Sequence, residues 1–412
     1  MSKFPRIRLP SLLWLVGIAV VLVLTGLGLA VWVPYVQTQR LVRDVEAMGG
    51  QVVVETCLPG WLSDLVAEWE FEERTWMFQT RVTGVSLASC HIDEAWLRRL
   101  ENLRSIDDLD LSHTNLDDAA LRHLSGLGGV IMLDLSHTRI SDEGLKELSG
   151  LPELENLNLG HTAVTGSGLA AMGASTRLTH LKVHSSSFGD AGMAELHRFP
   201  LFLIDLKETQ VTDAGIEHLS RCPGIIHLFL AKNRITDRCL KALGSLPLLS
   251  TLSLADTALT DAGMAQLTRA KNLTHLRLAG TRVTGRGLNS LPPLGTLDLS
   301  RAPVDDAGLR QLPSCATLGL DNTRISDEGM WFLATSTKRS PINISLQSTK
   351  ITDRGLKFLA VMPHLHQACI YRTAGTAAGI KDLMTLRVDL GCPVRLLFSE
   401  EEEPLAVFDQ DY

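Results

Sequence analysis

Histidine recurs in this chain at a spacing suited to a metal site or a proton switch: His113, His137 and His161 lie 24 residues apart. If the intervening segments place them on neighbouring strands, about 4.8 Å apart, three imidazoles form a ladder that could share a metal ion or make binding depend on pH. A metal needs convergent lone pairs and outer-shell support, so without them the ladder is a row of solvated side chains. His180, His184, His227 and His275 follow the same frame, bringing seven of the thirteen histidines into it. A second column, Asp142, Asp190, Asp213, Asp237, Asp261, Asp306, Asp327 and Asp353, invites an acid–base reading. Carboxylates that recur along a whole chain do not converge on one cleft, and they suit the positive ends of helices. There is no G-x-S-x-G, no G-x-x-x-x-G-K-[ST], no H-E-x-x-H and no C-x-x-C. The seven cysteines, Cys57, Cys90, Cys222, Cys239, Cys315, Cys369 and Cys392, therefore suggest neither a zinc site nor a disulfide framework. The expectation is a non-enzyme with no cofactor.

The elements that carry these residues come from a cassette. Leu133 to Leu148 and Leu252 to Leu267 both read L-x-L-x-x-T-x-[IL]-[ST]-D-x-G-[LM]-x-x-L. With its Thr as anchor, thirteen copies fall at Cys90, Thr114, Thr138, Thr162, Ser186, Thr209, Asn233, Thr257, Thr281, Ala302, Thr323, Thr349 and Thr373. A repeat of this period marks a stacked architecture. In each copy L-x-L alternates as a short strand, pointing Leu133 and Leu135 inward and Asp134 outward. The anchor hydroxyl can satisfy backbone groups in the following turn, which Ala302 cannot do. Three residues on, Asp, Ser or Thr can cap a helix, Gly189 being the exception. A recurrent Gly six residues after the anchor, Gly263 for example, costs helix stability and so implies close approach of a neighbouring repeat.

This cassette resembles the leucine-rich repeat family, in particular its ribonuclease-inhibitor-like and cysteine-containing subclasses and the bacterial members with an N-terminal membrane anchor. The resemblance implies an α/β solenoid, a horseshoe with a parallel concave sheet and convex helices, and a binding role. Anchors Thr281, Ala302 and Thr323 are only 21 residues apart, so convex helices there should be shorter, with strand length unchanged.

Ahead of the repeats, residues 11–33 are apolar and uncharged, long enough to cross a bilayer as a single transmembrane helix. Lys3, Arg6 and Arg8 before it favour a cytoplasmic N-terminus and extracytoplasmic repeats; a cleaved signal peptide ending near Ala30 is the rival. The expected organisation is a cytoplasmic segment 1–10, the span 11–33, an N-terminal cap 34–84, about thirteen repeats over 85–383, and a C-terminal cap with acidic tail over 384–412. Within the first cap a helix over 37–48, a strand over 51–55 and a Trp-rich helical stretch holding Trp61, Trp69 and Trp76 are expected. A net charge of −7 without a basic stripe argues against nucleic acid as partner.

The outward strand residues of such a solenoid line its concave binding face. The candidate ligand-binding residues are Asn158, His180, Lys182, His184, Asp205, Lys207, His227, Phe229, His275 and Arg277, in the fourth to ninth repeats, with Phe229 and Arg277 as the expected anchors. The expected partner is a protein or peptide, or an envelope polymer. The alternatives are a structural envelope protein without discrete ligand and a substrate adaptor of the ubiquitin-ligase type.

Overall fold

The computed structural model describes residues 36–56, 80–100, 106–173, 177–336, 341–389 and 395–397. The expected span 11–33, the stretch with Trp61, Trp69 and Trp76, Cys57, Cys392 and the acidic tail lie outside these residues. Among the described residues no helix is long and apolar enough to cross a membrane.

The strand motif of each cassette becomes a strand, and the strands stack in chain order into one sheet. They are β1 Gln51–Thr56, β2 Thr80–Ser86, β3 Asp108–Asp110, β4 Met132–Asp134, β5 Asn156–Asn158, β6 His180–Lys182, β7 Leu203–Asp205 and β8 His227–Phe229. The row continues with β9 Thr251–Ser253, β10 His275–Arg277, β11 Leu294–Asp298, β12 Cys315–Gly319, β13 Asn343–Ser345, β14 Gln367–Cys369 and β15 Arg395–Leu397. From β2 onward the pairing is parallel and in cassette register, as in Asp108↔Met132 and Asp110↔Asp134. Leu109, Leu133, Leu157 and Leu181, at the middle of their strands, are at most 2 % exposed and build the core. The arrangement is the expected α/β leucine-rich-repeat solenoid.

The anchor position works as its chemistry predicts. Thr114 and Thr138 donate Oγ1–H to the carbonyls of Leu111 and Leu135 at 2.7 and 2.6 Å, tying each turn to its strand. Asn233 does more, because its amide donates to Leu206 and Leu230 while its carbonyl accepts from the Thr209 amide and hydroxyl.

Two features of the convex side differ from expectation. Its helices are short and of mixed type: Gly144–Gly150 and Ser167–Met172 are 3-10 helices, whereas Asp353–Ala360 is α-helical. The aspartate column, read from sequence as serving helix starts alone, also joins repeats. Asp118 accepts from the Ser141 amide and hydroxyl at 2.7 and 2.6 Å, and Asp190 from those of Thr212 at 2.8 and 2.6 Å. Asp213, Asp237, Asp306, Asp327 and Asp353 repeat the bridge. A carboxylate at a helix start thus satisfies two donors of the following repeat's turn. The glycine column packs as predicted, since a Cβ on Gly263 would lie 2.6 Å from Leu240 Cδ1 and 2.7 Å from Asp237 Cβ.

In the compressed repeats the convex helices shrink to Leu288–Ser290 and Asp306–Leu309, as expected, but the strands do not stay constant. β11 and β12 lengthen to five residues. With the convex arc shortened, the chain returns to the sheet sooner and extends the pairing backward, to Leu294↔Cys315.

Both ends of the array are covered. A helix over 36–47 and β1, antiparallel to β2, close the first repeat, with Val45 fully buried. At the other end β15 pairs with β14, and the helix Ala377–Asp389 brings Arg387, 2 % exposed, to donate to the carbonyls of Ala360 and Met362.

Candidate functional site

The first and third residue of each three-residue strand face outward, and between β3 and β8 they enclose an open cleft of about 540 Å3. Its acidic end is made by Asp108, Asp110 and Asp134, its middle by Met132, Asn156 and Asn158, and its basic end by Lys182, His180 and His227, with Phe202 and Leu203 beside them. Met132 is 41 % exposed, unusual for a large apolar side chain in the centre of a sheet. The half-buried Phe202 meets the His180 ring edge-on at 4.3 Å.

Hydrogen bonds set the electrostatics of the cleft. Burial works against the Asp110 carboxylate, yet donors from Ser112 and Ser86 together with His113 hold it below the usual range. Asp108 has no such donors, and burial followed by the neighbouring charges of Asp110 and Asp134 raises it. At the other end Nδ1 of His180 contacts Thr179 Oγ1 at 3.0 Å, and Nδ1 of His227 contacts Thr251 Oγ1 at 3.0 Å, which fixes both ring planes. Burial lowers both imidazoles below the ordinary histidine value, Lys182 adding to the effect at His180 and His275 at His227. These rings are therefore predominantly neutral at pH 7.

Of the ten residues singled out from sequence, the cleft gathers Asn158, His180, Lys182 and His227. Asp205 lies on β7 beside Lys182, and Lys207 follows in the turn, neither lining the cleft. His275 and Arg277 sit on β10, beyond its basic end. Phe229 cannot be the expected anchor, because it is only 5 % exposed. Its neighbour across the register, Ser253, is short enough for a ring to lie against the sheet. The open surface is thus displaced from the fourth-to-ninth repeats to the second-to-seventh. Asp108, Met132 and Asn156 were missed because they occupy the first strand column, from which the sequence reading took only the histidines His180, His227 and His275. Phe202 precedes its strand, and an aromatic at an otherwise variable slot was the only signal for it.

His113, His137, His161 and His184 form a separate feature on the rim of the sheet. The residue before each anchor is left-handed, with φ of 56°, 56° and 55° at His113, His137 and His161, so their side chains project along one line. His113 stacks on His137 with ring centroids 3.9 Å apart, His137 on His161 at 4.0 Å, and His184 closes the row edge-on at 5.3 Å. His184 is thereby removed from the strand position expected of it. It passes over Gly160, where a Cβ would lie 2.5 Å from its ring. With interplanar angles of 13° and 18°, the in-plane lone pairs run parallel instead of converging. Among the described residues no group of three His, Cys, Asp or Glu is arranged to hold a metal ion, the ladder included. Burial of the ring faces, then neighbouring imidazoles, lowers His137 and His161.

The described cysteines are buried free thiols. Burial pushes Cys222 up to about 11 and Cys315 to about 12, which makes them poor nucleophiles.

Against this geometry the comparisons are consistent. The leucine rich repeat family matches residues 104–164, the part that carries the acidic end of the cleft and the stacked His113, His137 and His161. The solved structure of an internalin (InlF) from Listeria monocytogenes superposes with a TM-score of 0.53 at 20 % identity, covering 69 % of this chain and 86 % of that one. At that identity the likeness establishes fold alone. No curated protein matches the sequence. The chain therefore has a leucine-rich-repeat fold, and its residues 104–164 match the model of that family.

Proposed function

We propose that this protein is a membrane-anchored, extracytoplasmic recognition scaffold that acts by binding alone and holds a protein or peptide in the concave cleft between β3 and β8. The observation that carries this reading is the composition of the cleft: exposed Met132 and the Phe202 ring lie among carboxylates at one end and Lys182 at the other. An apolar centre with a polar rim is the anatomy of a polypeptide-binding surface. The apolar groups favour a polypeptide over a polar envelope polymer, and the three carboxylates disfavour nucleic acid through phosphate repulsion. The anchor rests on the uncharged run 11–33 and the basic residues before it, which favour export of the repeats.

A periplasm-active reporter fused after Tyr412, followed by cell fractionation, tests the placement. The expected result is an active, membrane-bound fusion. A silent reporter, or mature protein beginning near Val31, contradicts it. Capture of partners by parent protein and by Met132→Asp tests the cleft: the variant should fold, since Met132 is exposed, and lose the partner.

A further inference from the structure

The two ends of the cleft differ in what they lack. At the basic end the ring nitrogens of His180 and His227 already meet threonine hydroxyls. At the acidic end three carboxylates face the cleft with no lysine or arginine among its lining residues nearer than Lys182, three strands from Asp108 and Asp110 and two from Asp134. Asp107, one residue earlier and outside the lining, shows the contrast: it is paired with Arg81 at 2.6 Å. The Asp108 side chain is exposed and makes no hydrogen bond or ion pair among the described residues, while its neighbours Asp110 and Asp134 reinforce its negative field. Asp110 accepts from Ser86 Oγ and the Ser112 amide, and Asp134 from the Ser136 amide and hydroxyl and from Asn158 Nδ2. Those bonds fix the carboxylates without exhausting their lone pairs. In the same cleft the buried Oδ1 of Asn156 accepts no hydrogen bond. The acidic end therefore presents oriented carboxylates with lone pairs to spare and no cationic side chain among its lining residues, beside the exposed thioether chain of Met132.

We infer that the acidic end of the cleft is a subsite for the guanidinium of a partner's arginine, its aliphatic stem laid along Met132 and its planar fork shared by Asp108, Asp110 and Asp134. This rests on the peptide-binding reading above and makes it specific. The fork presents five donors in one plane, which suits several carboxylate edges at once, whereas a lysine offers a compact, strongly hydrated point charge. A long cationic side chain covers apolar surface with its methylenes while its head stays polar, and a thioether adapts to such a stem. The polarity of the cleft also sets a direction. From β3 to β6 is three strand spacings, about 14 Å, or about four residues of an extended chain crossing the strands. An acidic residue about four positions from the arginine then reaches Lys182.

The test is a selection of random dodecapeptides on the full chain in detergent micelles, followed by affinity measurements of the selected peptides. The expected peptides carry an arginine with an acidic residue about four positions away. Replacing that arginine by citrulline, which keeps the shape and removes the charge, lowers affinity by about ten-fold or more, and Asp108→Asn on the protein does the same. Asp108 has no partner within the fold, so the variant keeps its structure, checked by an unchanged melting temperature. Selected peptides without arginine, or affinities that stay within about two-fold after citrulline replacement and in Asp108→Asn, overturn the guanidinium subsite while leaving peptide binding intact. A library that yields no binder contradicts peptide binding itself and the subsite with it.

Discussion

The two halves of the concave face share one backbone pattern and present opposite surfaces. From β3 to β8 the outward positions hold Asp108, Met132, Asn156, His180 and Lys182, which stand away from the sheet around an open cleft. From β9 to β13 most of them are short and buried, with Thr251, Ser253, Thr296, Asp298, Thr317 and Ser345 all under 10 % exposed, and the exposed His275 and the half-buried Arg277 and Asn343 as the exceptions. Short side chains lie down and are covered by their neighbours, and the sheet there is reinforced by the lengthened β11 and β12. The rims differ too. The first half carries the imidazole row, whereas in the second Arg301 reaches across Gly280 to Asp256 at 3.0 Å. A Cβ at Gly280, whose φ is +66°, would strike the Asp256 carboxylate. The lesson is that the repeat supplies a scaffold, and the occupants of two side-chain columns decide which stretch of it can bind.

The sharpest way to break this comparison is at the glycines. In the compressed half, a Cβ on Gly308 would drive into the Thr284 carbonyl oxygen, whereas on Gly128, in the open half, its nearest neighbour is Pro152 Cδ at 4.0 Å. Gly308→Ala should cost about 2–3 kcal/mol in denaturant unfolding through overpacking. Gly128→Ala should stay within about 0.5 kcal/mol. Equal losses would show that the close approach at Gly308 relaxes without cost.

Next in size are the inter-repeat carboxylates. Asp142 accepts from the Thr165 amide and from the amides of Gly166 and Gly168, so Asp142→Ala should cost about 1–3 kcal/mol by leaving those donors unsatisfied. That exceeds a helix-dipole effect of about 0.3–1 kcal/mol, and a smaller measured loss would return the column to capping alone. Burial opposes ionisation of Asp142, but these donors and the Thr165 hydroxyl prevail and hold its pKa down. Its stabilising contribution is complete above the unfolded carboxylate value of about 3.9 and is lost as pH falls through the lower folded value. Denaturation midpoints of parent and variant should converge toward that acid limit.

A subtler contrast lies in the histidines. His137 and His161 have folded values lowered by burial, then by neighbouring imidazoles, so the stack's contribution is full above the free-histidine value of about 6.5 and declines as pH falls through the folded values. Asp134 faces His137 and Glu208 faces His161 as partly offsetting charges. A proton NMR titration should find both rings titrating below free histidine; values at or above it would mean the rings are not stacked in solution. The smallest expected effect is on stability in Asp108→Asn, within about 0.5 kcal/mol, because Asp108 is exposed and unpaired.

Much of the fold was legible because the cassette encodes it locally. Leu133 and Leu135 declare the strand, Thr138 the turn and Gly144 the close approach, each within a dozen residues. The Asp118–Ser141 bridge was not, since it joins residues of two repeats and each partner already has a sufficient local explanation as a cap. The site was less legible for a related reason. Asn158, His180, Lys182 and His227 follow from strand alternation, but exposure depends on the neighbours across the sheet. Phe229 and Met132 are both large and apolar on outward positions, and only the packing around them makes one buried and the other 41 % exposed.

The central claim, that the first half of the concave face binds a polypeptide and the second does not, is tested most directly by placing a photo-crosslinking amino acid at Met132 or at Thr296 in intact cells. The account predicts a discrete protein adduct from position 132 that is absent from position 296. Adducts from position 296 alone, or equally from both, would contradict it.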